Sequence, residues 1–131
     1  MEKLLWTEQL SLNVPLIDAS HKKFLEQITQ VANMPDTGLE SALSVLIRDM
    51  ESDFQNEEAL MEKINFPDIK LHREQHARVL SSFHQVMPDV LKGEFASAHH
   101  VLELLPSWLV LHITTMDKAL VLFMQNHPQI S

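Results

Sequence analysis

The sequence contains no cysteine and no tyrosine, and only 2 of its 131 residues are glycine. The lack of cysteine excludes disulfide bonds, thiolate metal sites and a thiol nucleophile. Strand-forming residues do not cluster in alternating runs, which argues against a β-sheet. Leucine, glutamate, alanine, methionine, glutamine and lysine, which favour helices, are abundant. The composition therefore predicts an all-α protein.

The sequence also lacks the long apolar run of about 20 residues that a membrane span needs. Its first residues have no basic start followed by an apolar core, so no secretory signal is expected. The net charge of -8 argues against a nucleic-acid partner. We therefore expect a cytoplasmic protein with no membrane partner, and a monomer, although an oligomer stays open.

Chain-breaking residues divide the sequence into four helical segments. The breaks lie at residues 34–38, 65–67 and 92–93, where proline and glycine are concentrated. Because the connections are short, successive helices should be antiparallel neighbours in an up-down-up-down four-helix bundle. Pro88 and Pro106 lie inside helical patterns, and we expect each to kink or restart its helix. The prediction is a single domain over 1–131, with an extended arm (1–16) and helices at about 17–33, 38–64, 68–91 and 95–126.

Apolar residues recur at steps of three and four in each segment, which is the pattern of packed bundle helices. Polar residues interrupt all four patterns. A buried carboxylate costs several kcal/mol unless it is paired or binds a metal. The interruptions alternate between early and late positions in successive helices, so antiparallel packing brings them to one level. Each has an ordinary explanation alone, as a hydrogen-bonded core histidine or a solvated face, but together they predict a metal site formed by His21, Asp53, Glu57, His72, His76 and His112.

Other polar residues fit this level less well. Asp117 follows His112 by five residues, about 140° around an ideal helix. Geometry alone places it beside the site, although a local π-bulge could turn it inward. We expect His84 either to be exposed or to contact the metal ligands without binding the metal itself. The remaining histidines, which we expect at the surface, are His99, His100 and His127.

Four runs of sequence resemble the hemerythrins, most closely the single-domain bacterial members. These runs are IDASHK (17–22), DFQNEEALM (53–61), HREQH (72–76) and the stretch from Trp108 through Lys118, and they follow the family's order over nearly the whole chain. The resemblance implies reversible O2 binding at a centre of two iron ions, bridged by an oxo or hydroxo group. In the family this centre uses five histidines and two bridging carboxylates.

The resemblance also implies a role for each residue at a matching position. His72, His76 and His112 resemble the three-histidine side of the centre. His21 resembles one of the two histidines on the other iron. Glu57 and Asp117 resemble the bridging carboxylates, and the resemblance alone makes Asp117 a ligand.

Asp53 departs from the family pattern, because the motif opens with His-Phe and this chain has Asp53-Phe54. A carboxylate is a harder, anionic ligand than imidazole, so it stabilises ferric over ferrous iron. We expect Asp53 to bind the metal and shift the site towards oxidised iron. Two alternatives follow in order: Asp53 is too short and leaves an open or water-filled position, or only one metal binds, on the three-histidine side.

The resemblance implies an O2-responsive di-iron protein that senses, scavenges or stores O2 or a related small diatomic. Its O2 pocket would be apolar and lined by neighbours of the ligands. An oxidase-like, peroxidase-like or nitric-oxide-reducing enzyme is the alternative that Asp53 favours, and a non-catalytic iron-binding module is another. We favour a binding protein over an enzyme. The expected pocket residues are Leu25, Phe54, Trp108 and Ile113.

Overall fold

The computed structural model describes residues 6–127, and every regular element within that range is helical. Residues 1–5 of the predicted arm lie outside it. Three long helices are uninterrupted, and the fourth is continuous from Ala96 to Asn126 but changes its winding in the middle. The helices are α1 (Pro15–Ala32), α2 (Leu39–Lys63), α3 (Ile69–Leu91), α4 (Ala96–His112), a π-helical segment (Ile113–Asp117) and α5 (Lys118–Asn126); short 3-10 turns occupy Glu8–Leu10 and Asp36–Gly38.

Each long helix packs against the next, and α4 also packs against α1, so the four form a closed ring of neighbours. The predicted all-α, antiparallel four-helix bundle is confirmed. Each helix end lies within two residues of its predicted position. For example, α1 begins at Pro15 because proline, which lacks an N–H, is favoured in the first turn of a helix.

The arm before α1 is held by one carboxylate. Asp18, in the first turn of α1, accepts hydrogen bonds from the Ser11 hydroxyl at 2.5 Å and from the Leu12 N–H at 2.8 Å. Leu10, at the end of the first 3-10 turn, is buried. The described part of the arm therefore packs onto the bundle.

Neither internal proline ends its helix. Pro88 lies within α3 and Pro106 within α4, and both helices continue past them. The sequence predicted a kink or a restart at each proline, and neither helix restarts. Pro106 is itself buried, so packing against the bundle stabilises the helix around it.

The hydrophobic core is divided into two clusters of buried residues by a polar level. The larger cluster includes Met50 and Phe54 of α2 and Leu109 of α4. The smaller cluster includes Met61 of α2 and Leu120 of α5. Because the polar residues of α2 and of the π-helical segment fall between these positions, they meet at one level of the bundle.

The continuous helix Ala96–Asn126 has an 18-residue window of mean hydropathy 1.3, of which 33% is buried. By length and composition alone it could cross a membrane. This is weak evidence, because the core helix of a bundle passes the same test. This helix also carries His112 and Asp117, which are buried against its neighbours.

Candidate metal centre

Four side chains from three helices direct one donor atom each at a common point. They are Glu57 of α2, His72 and His76 of α3, and His112 at the end of α4, and their donor atoms all lie within 4.8 Å of one another. The Nε2 atom of His112 is 3.1 Å from that of His72 and 3.3 Å from that of His76. Donor atoms that surround a first-row metal at about 2.1 Å lie about 3 to 4 Å apart, so the spacing fits one metal ion.

The chemistry of this donor set also fits a cation. Imidazole nitrogens that face each other without a proton or a metal between them present their lone pairs to one another. The Oε1 atom of Glu57 is 2.6 Å from Nε2 of His72, yet it is buried without a hydrogen-bond partner. The Oδ1 atom of Asp117 is likewise buried and unpartnered. A bound cation would satisfy these oxygens and the three nitrogens together.

Asp117 connects this cluster to His21, which lies on the remaining helix of the bundle, α1. Its Oδ1 atom lies 3.2 Å from Nε2 of His72 and 3.3 Å from Nε2 of His112. Its Oδ2 atom lies 3.0 Å from Nε2 of His21 in α1. The two oxygens of one carboxylate therefore face different histidines, as a carboxylate shared by two metal positions would.

The π-helical segment explains why Asp117 points inward. Hydrogen bonds from i to i+5 widen the turn beyond the 3.6 residues of an α-helix, which brings Asp117 towards the side of the helix that carries His112, and Asp117 is only 3% exposed. Thr114 and Thr115 support the wider turn, because their hydroxyls donate to the carbonyls of Val110 at 2.9 Å and Leu111 at 2.6 Å. The structure thus contains the π-bulge that the sequence left as an option.

Neighbouring charges shift the pKa of two of these groups. Burial disfavours the imidazolium form of His72, but the carboxylates of Asp117 and Glu57 outweigh it and raise its pKa to about 9. Burial likewise opposes the charge of Asp117, but contacts with His112, His21 and His72 hold its pKa well below the ordinary value. Without a metal, a proton on His72 would therefore balance the carboxylates.

Asp53 is not among the groups that the structure brings together. Its side chain is exposed and lines a cleft of about 370 Å³ between α1 and α2, beside Lys23 and Asp49. Partial removal from water and the charge of Asp49 raise its pKa. The sequence pattern placed Asp53 on the buried side of α2. In the structure the buried side chains after Met50 are Phe54 and Met61, so the pattern was one position out of phase at Asp53.

Two of the predicted pocket residues stack on histidines of the cluster, and the other two are buried. Phe54 stacks on the His76 ring, with centroids 3.9 Å apart. Trp108 stacks on the His112 ring at 4.7 Å and is partly buried. Leu25 and Ile113 are buried. Phe54 and Trp108 therefore limit the access of water to two of the histidine rings.

The other histidines are elsewhere. His84 is exposed and 3.2 Å from Glu51, and His99 is 2.8 Å from Asp36. His100 is exposed, and His127 contacts the carbonyl of Phe123.

Sequence reasoning missed one residue at the site. The Oε2 atom of Glu58 is 2.8 Å from Nδ1 of His76, on the side of the ring away from the cluster. Glu58 directly follows Glu57 in the sequence, and this pair of acidic residues was the available signal.

Comparison with known proteins is consistent with this geometry. A family model described as "Hemerythrin HHE cation binding domain" matches residues 12–122. The chain is 31% identical over 118 residues to a bacteriohemerythrin of Ralstonia nicotianae, covering 90% of this chain and 86% of the relative. It is 25% identical over 123 residues to a bacteriohemerythrin of Methylococcus capsulatus, covering 90% and 94%. A crystal structure of a leucine-to-phenylalanine mutant has the same fold, with a TM-score of 0.79, 23% identity and coverage of 90% and 94%.

Proposed function

Because the chain belongs to the hemerythrin family, we propose that it is a non-heme di-iron protein that binds or responds to O2. Its role would be to sense, scavenge or store O2 or a related small diatomic. The observation that carries the proposal is the convergence of three imidazole Nε2 atoms and the Glu57 carboxylate within 4.8 Å. Iron would supply the O2-binding chemistry, and the protein would hold the metals and exclude water.

The first iron would be held by His72, His76 and His112, with Glu57 beside them. The second would be held by His21 and the second oxygen of Asp117, whose donor atoms are 3.0 Å apart. The carboxylates of Glu57 and Asp117 would be shared. This division of Asp117 between two groups of histidines supports two metal positions over one.

The second position would be the unusual one. It has one histidine, and the residue one turn before Glu57 on α2 is Asp53. We propose that Asp53 turns from its cleft to bind the second metal, which would add a negative charge and favour ferric iron. If it stays in the cleft, that metal keeps an open position.

Small apolar ligands would reach the iron through the hydrophobic surroundings of the histidines. Leu25 and Ile113 are buried, and Phe54 and Trp108 cover two ligand rings. An apolar wall accepts O2 and disfavours water and protons, which promote oxidation of ferrous iron. We also retain a cytoplasmic location, a monomer, and no membrane or nucleic-acid partner as proposals.

The test is the visible spectrum of protein loaded with ferrous iron without air and then exposed to O2. A new absorption band that vanishes when O2 is removed supports O2 binding. Two iron ions per chain should accompany it. A chain that holds no iron would contradict the proposal.

A second candidate function is oxidative or reductive chemistry at the same centre, and Asp53 is the observation that favours it. A site tuned to ferric iron would pass electrons to O2, peroxide or nitric oxide. In the same experiment it would turn irreversibly to a ferric spectrum and consume O2 with added reductant. A chain that holds iron but shows neither behaviour would be a non-catalytic iron-binding module.

A further inference from the structure

His76 differs from the other histidines of the centre in what its second ring nitrogen contacts. The Nδ1 atoms of His21, His72 and His112 are buried with no hydrogen-bond partner among the described residues. The Nδ1 atom of His76, in contrast, lies 2.8 Å from Oε2 of Glu58. The sequence motifs assigned Glu58 no role.

This contact determines which nitrogen of His76 is free to bind a metal. A neutral imidazole carries one proton, and a carboxylate beside Nδ1 holds the proton there. The lone pair is then on Nε2, the atom that faces His112 at 3.3 Å. A carboxylate in this position also makes the imidazole a stronger donor.

The orientation of the His76 ring is fixed on two sides. Phe54 stacks on its face with an interplanar angle of 1°. Glu58 holds its outer edge, and Glu58 is in turn 3.5 Å from Nε of Arg73, which also pairs with Glu62. A chain of contacts thus runs from the surface of α2 and α3 to a ligand that is 1% exposed.

We propose that Glu58 is a positioning residue of the metal centre, which accepts the Nδ1–H of His76 and directs Nε2 of that ring at the metal. This rests on the proposed function, because it requires that His76 bind iron. Glu58 would not bind the metal itself. Its charge would also favour the ferric state of the metal that His76 binds.

The test compares the rate at which ferrous iron is lost to an excess of chelator, without air, in the full chain and its variants. Glu58→Ala should lose iron about 10- to 100-fold faster than the parent, the usual effect of removing such a partner. Glu58→Gln should lose iron at nearly the parent's rate, since its amide oxygen still accepts a hydrogen bond from Nδ1–H of His76. Glu62→Ala is the matched control, because it removes the other partner of Arg73 without touching His76.

The reduction potential of the bound iron distinguishes a positioning role of Glu58 from a merely structural one. Glu58→Gln lacks the negative charge, so its iron should be reduced more easily than the parent's, while Glu62→Gln should match the parent. If Glu58→Ala does not fold, this potential remains measurable on Glu58→Gln. Parental release rates and potentials in the Glu58 variants, with iron lost in His76→Ala, would overturn the proposal and leave the function intact. A parent chain that binds no iron would overturn both.

Discussion

The histidines of the centre are distinguished by burial and by what they face. His112 is 2% exposed and lies within 3.3 Å of two other imidazoles, whereas His99 is at the surface and contacts Asp36. We expect His72→Ala and His112→Ala each to lose at least one metal ion per chain, because each removes one of the four converging donors. His99→Ala and His127→Ala should lose none. Metal analysis of the purified variants checks this, and full metal content in the first pair would refute the ligand assignment.

Asp53 provides the sharpest test of how this chain differs from its family. Asp53→His adds a neutral imidazole one turn before Glu57, so ferrous iron should be easier to keep. We predict that the loaded variant oxidises more slowly in air than the parent, which should rest in the diferric state. Asp49→His is the matched control, because it adds an imidazole to the same cleft one turn further away. The loss of the ferrous state after exposure to air gives the rate.

Two results would contradict this account of Asp53. One is an unchanged rate of oxidation and unchanged metal content in Asp53→His. The other is a metal-loaded parent structure in which the Asp53 carboxylate still points into the cleft. Either would leave the second metal with an open position or absent.

At the scale of the helices, much of the site could be predicted from spacing. His72 and His76, four residues apart on α3, share a face, and both are buried as their pattern required. Spacing failed on α2, where the buried residues step by four from Met50 to Phe54. Buried positions recur every 3.6 residues on average along an α-helix, so the next one can follow after three residues or after four. As a result Asp53 lies at the edge of the core and not within it.

Two features of the site could not be derived from regular periodicity. Asp117 required a change of winding that an ideal helix does not contain, and the only sequence hint was the pair Thr114 and Thr115, which can bond to the preceding turn. Glu58 required knowing which edge of the His76 ring faces outward. Side-chain orientation of this kind depends on packing between helices.

The π-helical segment leads to an element-scale prediction. A π-turn contains one residue more than the α-turn it replaces, so deleting the exposed Thr114 should restore a regular helix with His112 and Asp117 four residues apart. We expect this deletion to fold and to keep its metal. Deleting the exposed Glu103 from the regular part of α4 should instead rotate the following residues by about 100° and abolish metal binding. Equal metal content in the two deletions would contradict this view of the segment.

On the scale of the whole molecule, the centre places charges between two hydrophobic clusters, so the metal should contribute to folding. Metal that binds only the folded chain stabilises it by about 2.7 kcal/mol at 100 times its dissociation constant. For a domain of this size we expect the melting temperature to rise by roughly 10 °C on loading with iron. His112→Ala should show little rise. Equal melting temperatures with and without metal would argue against a buried site.

The stability of the metal-free chain should depend on pH through the protonation of His72. Its pKa in the folded chain is about 9, above the ordinary 6.5, so its contribution to metal-free stability is complete below about pH 6.5 and is lost as pH rises through about 9. The lowered pKa of Asp117 has no effect in this range, because that carboxylate is ionised throughout. From about pH 6.5 to 8.5 the metal-free chain should lose up to about 2 kcal/mol of stability.

The metal-loaded chain should respond to pH in the opposite sense. Metal and proton compete for Nε2 of His72, so raising the pH removes the competitor and strengthens metal binding. We therefore predict that the gap in melting temperature between iron-loaded and metal-free protein, measured without air, widens from about pH 6.5 to 8.5. In His72→Gln the metal-free melting temperature should lose most of its pH dependence over this range. A gap that stays constant with pH would mean that His72 carries no proton for the metal to displace.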